Sequence, residues 1–327
     1  MVKTHKVAVC PSKVTYVTKH SETLLDAALA ANIPLGHSCK NGDCGICSAV
    51  LLKGLVKDEA GELISSGEFL TCQCKPETDI EIEAEYYPEL ADIQNKTIPV
   101  KVDSFKVLED VLQIHFRVPP TQKMKYLAGQ YINLSYKGVV RAYSIANACG
   151  ESGEIELHVK KVPNGKMSDL LFNGMRQGML MHMNGPCGTF FVRDSSAPII
   201  IMVTGTGFAP AKAIIEALIQ QQDTRKIFLF WGARYQRGFY NSQPQEWARQ
   251  LKNFTYIPVL SRPGEGWVGK AGYVQSAVLD AVENLARYQV YACGSPQMID
   301  RAKTLLVEKG LDEKNFYSDA FTAAKDV

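Results

Sequence analysis

The chain has 327 residues, enough for two or three domains with real cores at roughly 100–200 residues each. Its 46% hydrophobic and 21% charged content excludes a disordered or fibrous chain. Thirty-six Lys and Arg against thirty-four Asp and Glu leave a formal charge of +2, too little to neutralise a phosphate backbone, so no nucleic acid is expected as a partner.

In chain order, Lys6–Val9 and Val14–Val17 predict a first hairpin. Thr23-Leu24-Leu25-Asp26 matches a helix capping box, with Leu25, Ala28 and Leu29 on one helical face. Ser48–Leu52 reads as a strand ended by Gly54, and Asp79–Ala84 alternates strictly, as a half-buried strand does. Together these predict a small sheet packed on one helix. Tyr86–Leu90 and Gln94–Lys96 are expected to form a linker.

Between about 97 and 195, strand patterns dominate: Pro99–Val102, Leu112–Phe116, Tyr131–Leu134 and Ile155–Val159. Short strands punctuated by Gly and Pro predict a small antiparallel barrel, in which only Ser168–Asn173 reads as helix. From 198 the rhythm becomes strand–helix alternation, the signature of a parallel sheet. Ile199–Val203, Ile227–Trp231, Tyr256–Leu260 and Val290–Ala292 are its predicted strands. Helices are expected over Pro210–Gln222, with Pro in the first turn, and over Gln297–Lys309. The longest apolar stretch, Ala197–Val203, is far short of the ~20 residues a membrane span requires. No apolar signal core follows Met1–Lys6, which points to a cytoplasmic protein.

Nine cysteines, an odd number in a long chain, argue against a disulfide framework, and six of them lie before residue 75. Cys39, Cys44 and Cys47 form a Cys-x4-Cys-x2-Cys run, with Cys72 a further 24 residues on; this is plant-type spacing for a 2Fe–2S cluster. Gly42 and Gly45 in that loop allow backbone N–H groups to face the sulfurs. A structural zinc site is the alternative, although such sites usually pair two short Cys hooks. Cys74 rivals Cys72 as fourth ligand, and Cys10 reads as packing.

Arg141-Ala142-Tyr143-Ser144, followed by Gly165-Lys166-Met167-Ser168, suits a flavin: an aromatic face, a hydroxyl, a cation, and a helix N-terminus for a pyrophosphate. The plainer reading makes Tyr143 a barrel-wall residue and Arg141 a surface charge. Thr204-Gly205-Thr206-Gly207-Phe208-Ala209-Pro210 joins a buried strand to a helix, where a glycine turn permits close approach of a dinucleotide or is simply a tight turn. Cys293-Gly294-Ser295-Pro296 falls on the same carboxyl edge of the sheet, and no base is evident that would make Cys293 a nucleophile.

These motifs, in this order, resemble the ferredoxin-NAD(P)H reductase superfamily, in the arrangement with an N-terminal plant-type ferredoxin. Tyr86–Leu90, Ala128–Ile132, Tyr143–Asn147, Gly185–Phe191 and Tyr317–Phe321 are most similar to the CDP-6-deoxy-Δ3,4-glucoseen reductases. The resemblance implies a multidomain protein. An α+β ferredoxin-like (β-grasp) 2Fe–2S domain is expected over 1–90. An antiparallel β-barrel FAD domain would follow over 97–195, and an α/β parallel-sheet NAD(P)H domain over 196–327. It implies that Cys39, Cys44, Cys47 and Cys72 hold the cluster. It also implies that Tyr143 stacks on the flavin with Ser144 near N5, while Arg141, Val159, Lys160, Gly165, Lys166, Met167 and Ser168 complete the flavin set. Thr204, Gly205, Thr206, Gly207, Arg234, Cys293, Gly294 and Ser295 would hold the nicotinamide dinucleotide. Phe321 would cover the isoalloxazine, joining Ser144 and Cys293 at the reacting centre.

One departure stands out. The family often has Gly where this chain has Thr204, and a β-branched residue disfavours positive φ, so a different nicotinamide approach is expected there. The expected activity is an electron relay from NADH, through FAD and the cluster, to a partner protein. Plant-type clusters lie at about −400 mV. The expected partner is a pyridoxamine-dependent iron–sulfur dehydrase of 3,6-dideoxyhexose (lipopolysaccharide) biosynthesis; the alternative is a bacterial oxygenase. NADPH is the alternative donor, for which Arg234 and Arg262 stand after sheet strands. Asp43, Asp58, Glu59 and Glu62 read either as a docking face or as a solvated one.

Overall fold

Strict alternation of apolar and polar residues builds the first sheet. In the computed structural model, which describes residues 3–37, 40–43 and 45–321, β1 (Thr4–Cys10) and β2 (Val14–Lys19) form the predicted hairpin. α1 (Leu24–Ala30) begins where the Thr23 hydroxyl accepts the Asp26 N–H at 3.1 Å. β3 (Ser48–Lys53), β4 (Val56–Lys57), β5 (Leu63–Ile64), β6 (Gly67–Leu70), β7 (Lys75–Pro76) and β8 (Ile80–Glu83) follow. The sheet runs β2-β1-β8-β3-β6, with β5-β4-β7 as a small satellite. β8 shows why the pattern was legible: Ile80 and Ile82 are buried against Leu24, Leu25 and Ala28, while Glu81 and Glu83 face water. Each buried isoleucine contributes about 1.5–3 kcal/mol. The expected linker starts differently. Tyr87 donates its N–H to the Pro34 carbonyl, and Tyr87 and Leu90 are buried, so its first half packs down instead of being solvated.

Contacts group the chain into two units, Met1–Asn95 with Cys187–Thr189, and Lys96–Pro186 with Phe190–Val327. The second unit opens with an antiparallel sheet made of β9 (Lys96–Leu108), β10 (Val111–Arg117), β11 (Tyr131–Tyr136), β12 (Val139–Ser144), β13 (Glu154–Lys160) and β14 (Leu180–Cys187). Its order is β12-β11-β14-β9-β10-β13. The end strands approach one another at the Ile145–Leu157 bridge, so the sheet curls into a half-barrel around Ile114, Phe116, Ile132 and Leu157. α2 (Lys166–Gly174) is its helix and starts two residues earlier than the periodicity predicts.

A wholly parallel sheet follows, in the order β18-β17-β16-β15-β19-β20. Its elements are β15 (Ile199–Thr204), α3 (Phe208–Gln220), β16 (Ile227–Ala233), α4 (Gln243–Gln250), β17 (Phe254–Leu260), β18 (Lys270–Ala271), α5 (Val274–Ala281), β19 (Gln289–Gly294), α6 (Pro296–Glu308) and β20 (Phe316–Ala320). β15 is apolar without alternation because both its faces are covered. Ile199, Ile201 and Val203 meet α3 and Trp247 of α4, while Ile200 and Met202 meet α5 and α6. After β15 the chain winds outward through β16 to one side, and β19 lies on the other. The crevice at the carboxyl ends of β15 and β19 is therefore the topological switch point. Among the described residues no helix is long and apolar enough to cross a membrane.

Candidate functional site

The cysteine site is built by strand register. β3 begins immediately after Cys47, and β6 ends just before Thr71-Cys72. Their antiparallel pairing sets Ser48 opposite Leu70, so the two cysteines must meet. Thr71 secures the junction, its N–H and its hydroxyl both donating to the Cys47 carbonyl at 3.0 Å. The Cys47 and Cys72 sulfurs stand 3.1 Å apart, both thiols are buried, and no disulfide joins them. Gln73 Nε2 lies 3.6 Å from the Cys72 sulfur, a donor that the sequence reading did not single out. Gly42 and Gly45 both have positive φ in the loop. Cys39 and Cys44 lie outside the described residues, among which no group of three metal-ligating side chains converges. Cys74 is buried, and burial, helped by Asp58, pushes its thiol up to about 11. The two converging sulfurs of Cys47 and Cys72, with a nearby amide donor, fit an iron–sulfur centre. Of the acidic residues, Asp58 closes its own turn by accepting the Glu62 N–H at 2.8 Å.

On the half-barrel, Arg141 and Tyr143 share one face of β12 and are half-buried, while Ser144 is buried. Burial, opposed by Arg141, pushes the Tyr143 phenol up to about 12, so the ring is neutral and suited to stacking. Val159 is buried in the core, leaving only its backbone for a ligand, and Lys160 is exposed and pairs with Asp110 at 3.5 Å. At the α2 N-terminus Gly165 is the cap residue, Lys166 is exposed and Met167 is buried. The Ser168 hydroxyl is spent on the turn itself, donating to the Val162 and Gly165 carbonyls at 3.1 and 3.0 Å. Lys166 also borders an open cleft of about 970 Å³ together with Tyr136, Lys137, Asp169 and Arg176. Exposed cations at a helix N-terminus beside a half-buried phenol fit an FAD with its pyrophosphate at α2.

At the switch point the backbone does the shaping. Thr204 is extended, at φ −130° and ψ 140°, and the left-handed residue is Gly205, at φ +56°. The expectation that a β-branched Thr204 alters the nicotinamide approach through φ strain is therefore corrected: the turn puts its strain one residue later. A Cβ on Gly207 would lie 2.3 Å from the Cys293 carbonyl oxygen, so the two crevice walls touch through this glycine. The loop continues as a 3-10 turn straight into α3, which begins at Phe208, earlier than predicted, with Pro210 still in the first turn. Phe208 stacks on Trp231 with centroids 4.1 Å apart, and Trp231 Nε1 donates to the Gly205 carbonyl at 3.2 Å. Sequence reasoning missed this support, whose only signal was the aromatic run at the end of β16.

Cys293 is wholly buried, and burial followed by Asp319 raises its thiol well above the ordinary value, so it is a protonated wall residue. Ser295 caps α6 by accepting the Met298 N–H at 3.3 Å. Phe321 donates its N–H to the Gly294 carbonyl at 2.8 Å, which brings its partly exposed ring to the same edge. Exposed Arg234 and Arg262 follow β16 and β17, with Arg262 Nη1 3.5 Å from the Tyr235 hydroxyl. A crevice with a glycine wall, a backbone turn and cations at its rim fits a nicotinamide dinucleotide.

Three family models match consecutive stretches: a 2Fe-2S iron-sulfur cluster binding domain over residues 7–77, an oxidoreductase FAD-binding domain over 100–192, and an oxidoreductase NAD-binding domain over 201–304. The chain is 48% identical to protein RfbI of Salmonella typhimurium, across 99% of this chain and 98% of that one. It is 44% identical to the CDP-6-deoxy-L-threo-D-glycero-4-hexulose-3-dehydrase reductase of Yersinia pseudotuberculosis, across 96% and 98%. Among solved structures it is similar to a ferredoxin reductase in carbazole 1,9a-dioxygenase, with a TM-score of 0.73 and 27% identity, covering 98% of this chain and 99% of that one. With a 2Fe–2S cluster, FAD and a nicotinamide dinucleotide as its cofactors, the chain belongs to the iron–sulfur flavoprotein branch of the ferredoxin-NAD(P)H reductase superfamily, in the family of the CDP-6-deoxyhexulose-3-dehydrase reductases.

Proposed function

We propose that the protein accepts hydride from NADH and delivers single electrons to an iron–sulfur dehydrase that completes C3 deoxygenation of a CDP-hexose. The bound flavin supplies the conversion between paired and single electrons. The chain's own residues bind and orient. Cys39, Cys44, Cys47 and Cys72 hold the cluster; Arg141, Tyr143, Ser144, Val159, Lys160 and Gly165–Ser168 hold the flavin. Thr204–Gly207, Arg234 and Cys293–Ser295 hold the nicotinamide, and Phe321 shields the flavin from water. Three stretches, 1–90, 97–195 and 196–327, divide these tasks. The setting we assign is the reducing cytoplasm, where thiols that hold a cluster are kept reduced.

One observation carries the relay: a pair of buried sulfurs 3.1 Å apart, suited to a one-electron centre, shares a polypeptide with a parallel-sheet crevice suited to a hydride donor. The dehydrase as acceptor is supported by the 44% identity over 96% of the chain. Anaerobic titration with NADH, followed by visible absorbance and paramagnetic resonance, is expected to bleach flavin and cluster together and give a reduced 2Fe–2S signal. Flavin reduction without that signal refutes the relay. The 27% identity to a dioxygenase ferredoxin reductase supports an oxygenase as second reading. Turnover with a purified CDP-4-keto-6-deoxyhexose dehydrase, against turnover with an oxygenase terminal component, separates the two.

A further inference from the structure

The side chains of one buried polar network are none of the cofactor-site residues named above. Lys212 on α3 is 3% exposed, and its three ammonium protons meet three acceptors: Glu156 Oε2 at 2.7 Å, Glu216 Oε1 at 2.7 Å and the Ala146 carbonyl at 3.1 Å. Glu156 on β13 uses its other oxygen for His158 Nε2 at 2.7 Å and Gln113 Nε2 at 2.6 Å. His158 Nδ1 faces the Tyr240 hydroxyl at 2.9 Å, and Glu216 Oε2 accepts the Ala148 N–H at 3.1 Å. The protonation pattern is consistent throughout. Burial would raise Glu156, but its bond to His158 and the Lys212 charge hold it down at about 2. Burial lowers His158, so the ring is neutral, donating from Nε2 and accepting the tyrosine proton at Nδ1.

The network ties two particular places together. Ala146 and Ala148 lie two and four residues past Ser144, where β12 ends, and Glu156 and His158 stand on β13. On the other side, Lys212 is five residues past Gly207. The His158 ring stacks on Phe208 at 6.3 Å, and Tyr240 meets Phe208 and Trp231 edge-on at 6.1 and 5.3 Å. Phe208 and Trp231 in turn hold the Gly205 carbonyl. Buried ion pairs are weak sources of stability, since apolar residues of similar volume often serve as well or better. What a three-acceptor ammonium adds is a single permitted register.

We infer that Lys212, with Glu156, His158 and Tyr240, is a positioning device that fixes the Gly205–Gly207 loop relative to the Tyr143-Ser144 strand and so sets the hydride-transfer geometry. This rests on the relay proposed above. In the holoenzyme, Lys212→Met is expected to slow flavin reduction by NADH about 100-fold in stopped flow, the cost of roughly 1 Å of misplacement. The NADH Kd is expected to change less than threefold, and flavin-to-cluster transfer after photoreduction to stay at the wild-type rate. Lys212→Met/Glu156→Gln, which removes both fully buried charges and leaves only the partly exposed Glu216 without its cation, is expected to recover thermal stability without recovering the rate; Lys212→Arg, which keeps the cation, is expected to recover part of it. Tyr240→Phe removes one oxygen and no packing, and is expected to slow flavin reduction three- to tenfold with an altered isotope effect from 4-deuterated NADH. A wild-type rate in Tyr240→Phe, or a rate in the double variant that recovers along with its stability, overturns the inference. Failure of NADH to reduce the wild-type flavin would instead overturn the relay itself.

Discussion

Gly207→Ala tests whether the nicotinamide crevice depends on direct contact between its walls. The added methyl would sit 2.3 Å from the Cys293 carbonyl oxygen and 2.8 Å from its carbon, and both are backbone atoms that no rotamer change can move. Restoring ordinary contact at about 3.4 Å requires the loop and β19 to separate by roughly 1 Å. Overpacking of this kind costs about 1–3 kcal/mol, or roughly 3–10 °C in the melting of a unit this size. The same displacement at a hydride-transfer site costs about 100-fold in rate. Gly150→Ala is the control: it meets nothing within 4 Å, has no positive φ and lies outside every assigned site. Stopped-flow reduction by NADH, with dithionite reduction as a measure of intact flavin, reads both. If Gly207→Ala reduces as fast as Gly150→Ala, the contact is not what shapes the crevice.

Cys72→Ser is expected to abolish the visible absorbance of the cluster while Cys74→Ser keeps it at a cost of roughly 1–2 kcal/mol; loss of the cluster only in the second variant would reverse the ligand assignment. The flavin–nicotinamide unit should lose stability on acidification. His158 and Glu156 both have folded-state values below their ordinary ones, so their contributions are complete above pH 6.5 and 4.5 and are lost as pH falls through the lower folded values. For Glu156 alone this amounts to roughly 3 kcal/mol between its ordinary 4.5 and about 2. Calorimetry showing a melting temperature that rises from pH 7 to pH 4 would contradict it. Arg262→Ala is expected to lower kcat/KM for NADPH about tenfold more than for NADH, because a guanidinium bond to a phosphate contributes about 1.5–3 kcal/mol; equal losses would remove Arg262 from any 2′-phosphate site.

Much of the architecture was legible because the sequence periods are unambiguous. Asp79–Ala84 alternates because one face of β8 is wet, and Ile199–Val203 does not because neither face of β15 is. The motifs were legible for a related reason, since close approach demands glycine and metal chemistry demands cysteine at fixed spacing. What escaped was long-range. Nothing near Lys212 in the sequence announces that Glu156 and Ala146 will be its partners, 56 and 66 residues away. α4 and α5 carry short apolar faces framed by polar residues, a weak signal beside that of α3. Ser168 was legible in part: its place at the start of α2 could be read from the sequence, but not that its hydroxyl would bond within its own turn.

The chemistry of the two crevice walls then follows from what is not ionised. Cys293 is held as a neutral thiol, Tyr143 as a neutral phenol, and Ser144 is a buried hydroxyl. A fixed charge beside either ring would stabilise one oxidation state over the other and bias transfer. Among the ionised groups of this unit, Lys212 is instead held between Glu156 and Glu216, and Arg234 and Arg262 are exposed after β16 and β17. Rim cations can draw in an anionic dinucleotide without altering the reacting centre. A hydride donor and acceptor carry their own reactivity, so what the polypeptide supplies is distance and angle. Backbone contact at Gly207 and a fully satisfied buried ammonium at Lys212 are two means of fixing both through the same loop. Gly207→Ala combined with Lys212→Met should therefore cost less than the product of the single losses, because a loop already displaced by one change has less geometry for the other to remove. Fully multiplicative losses would mean that the two residues act on different steps.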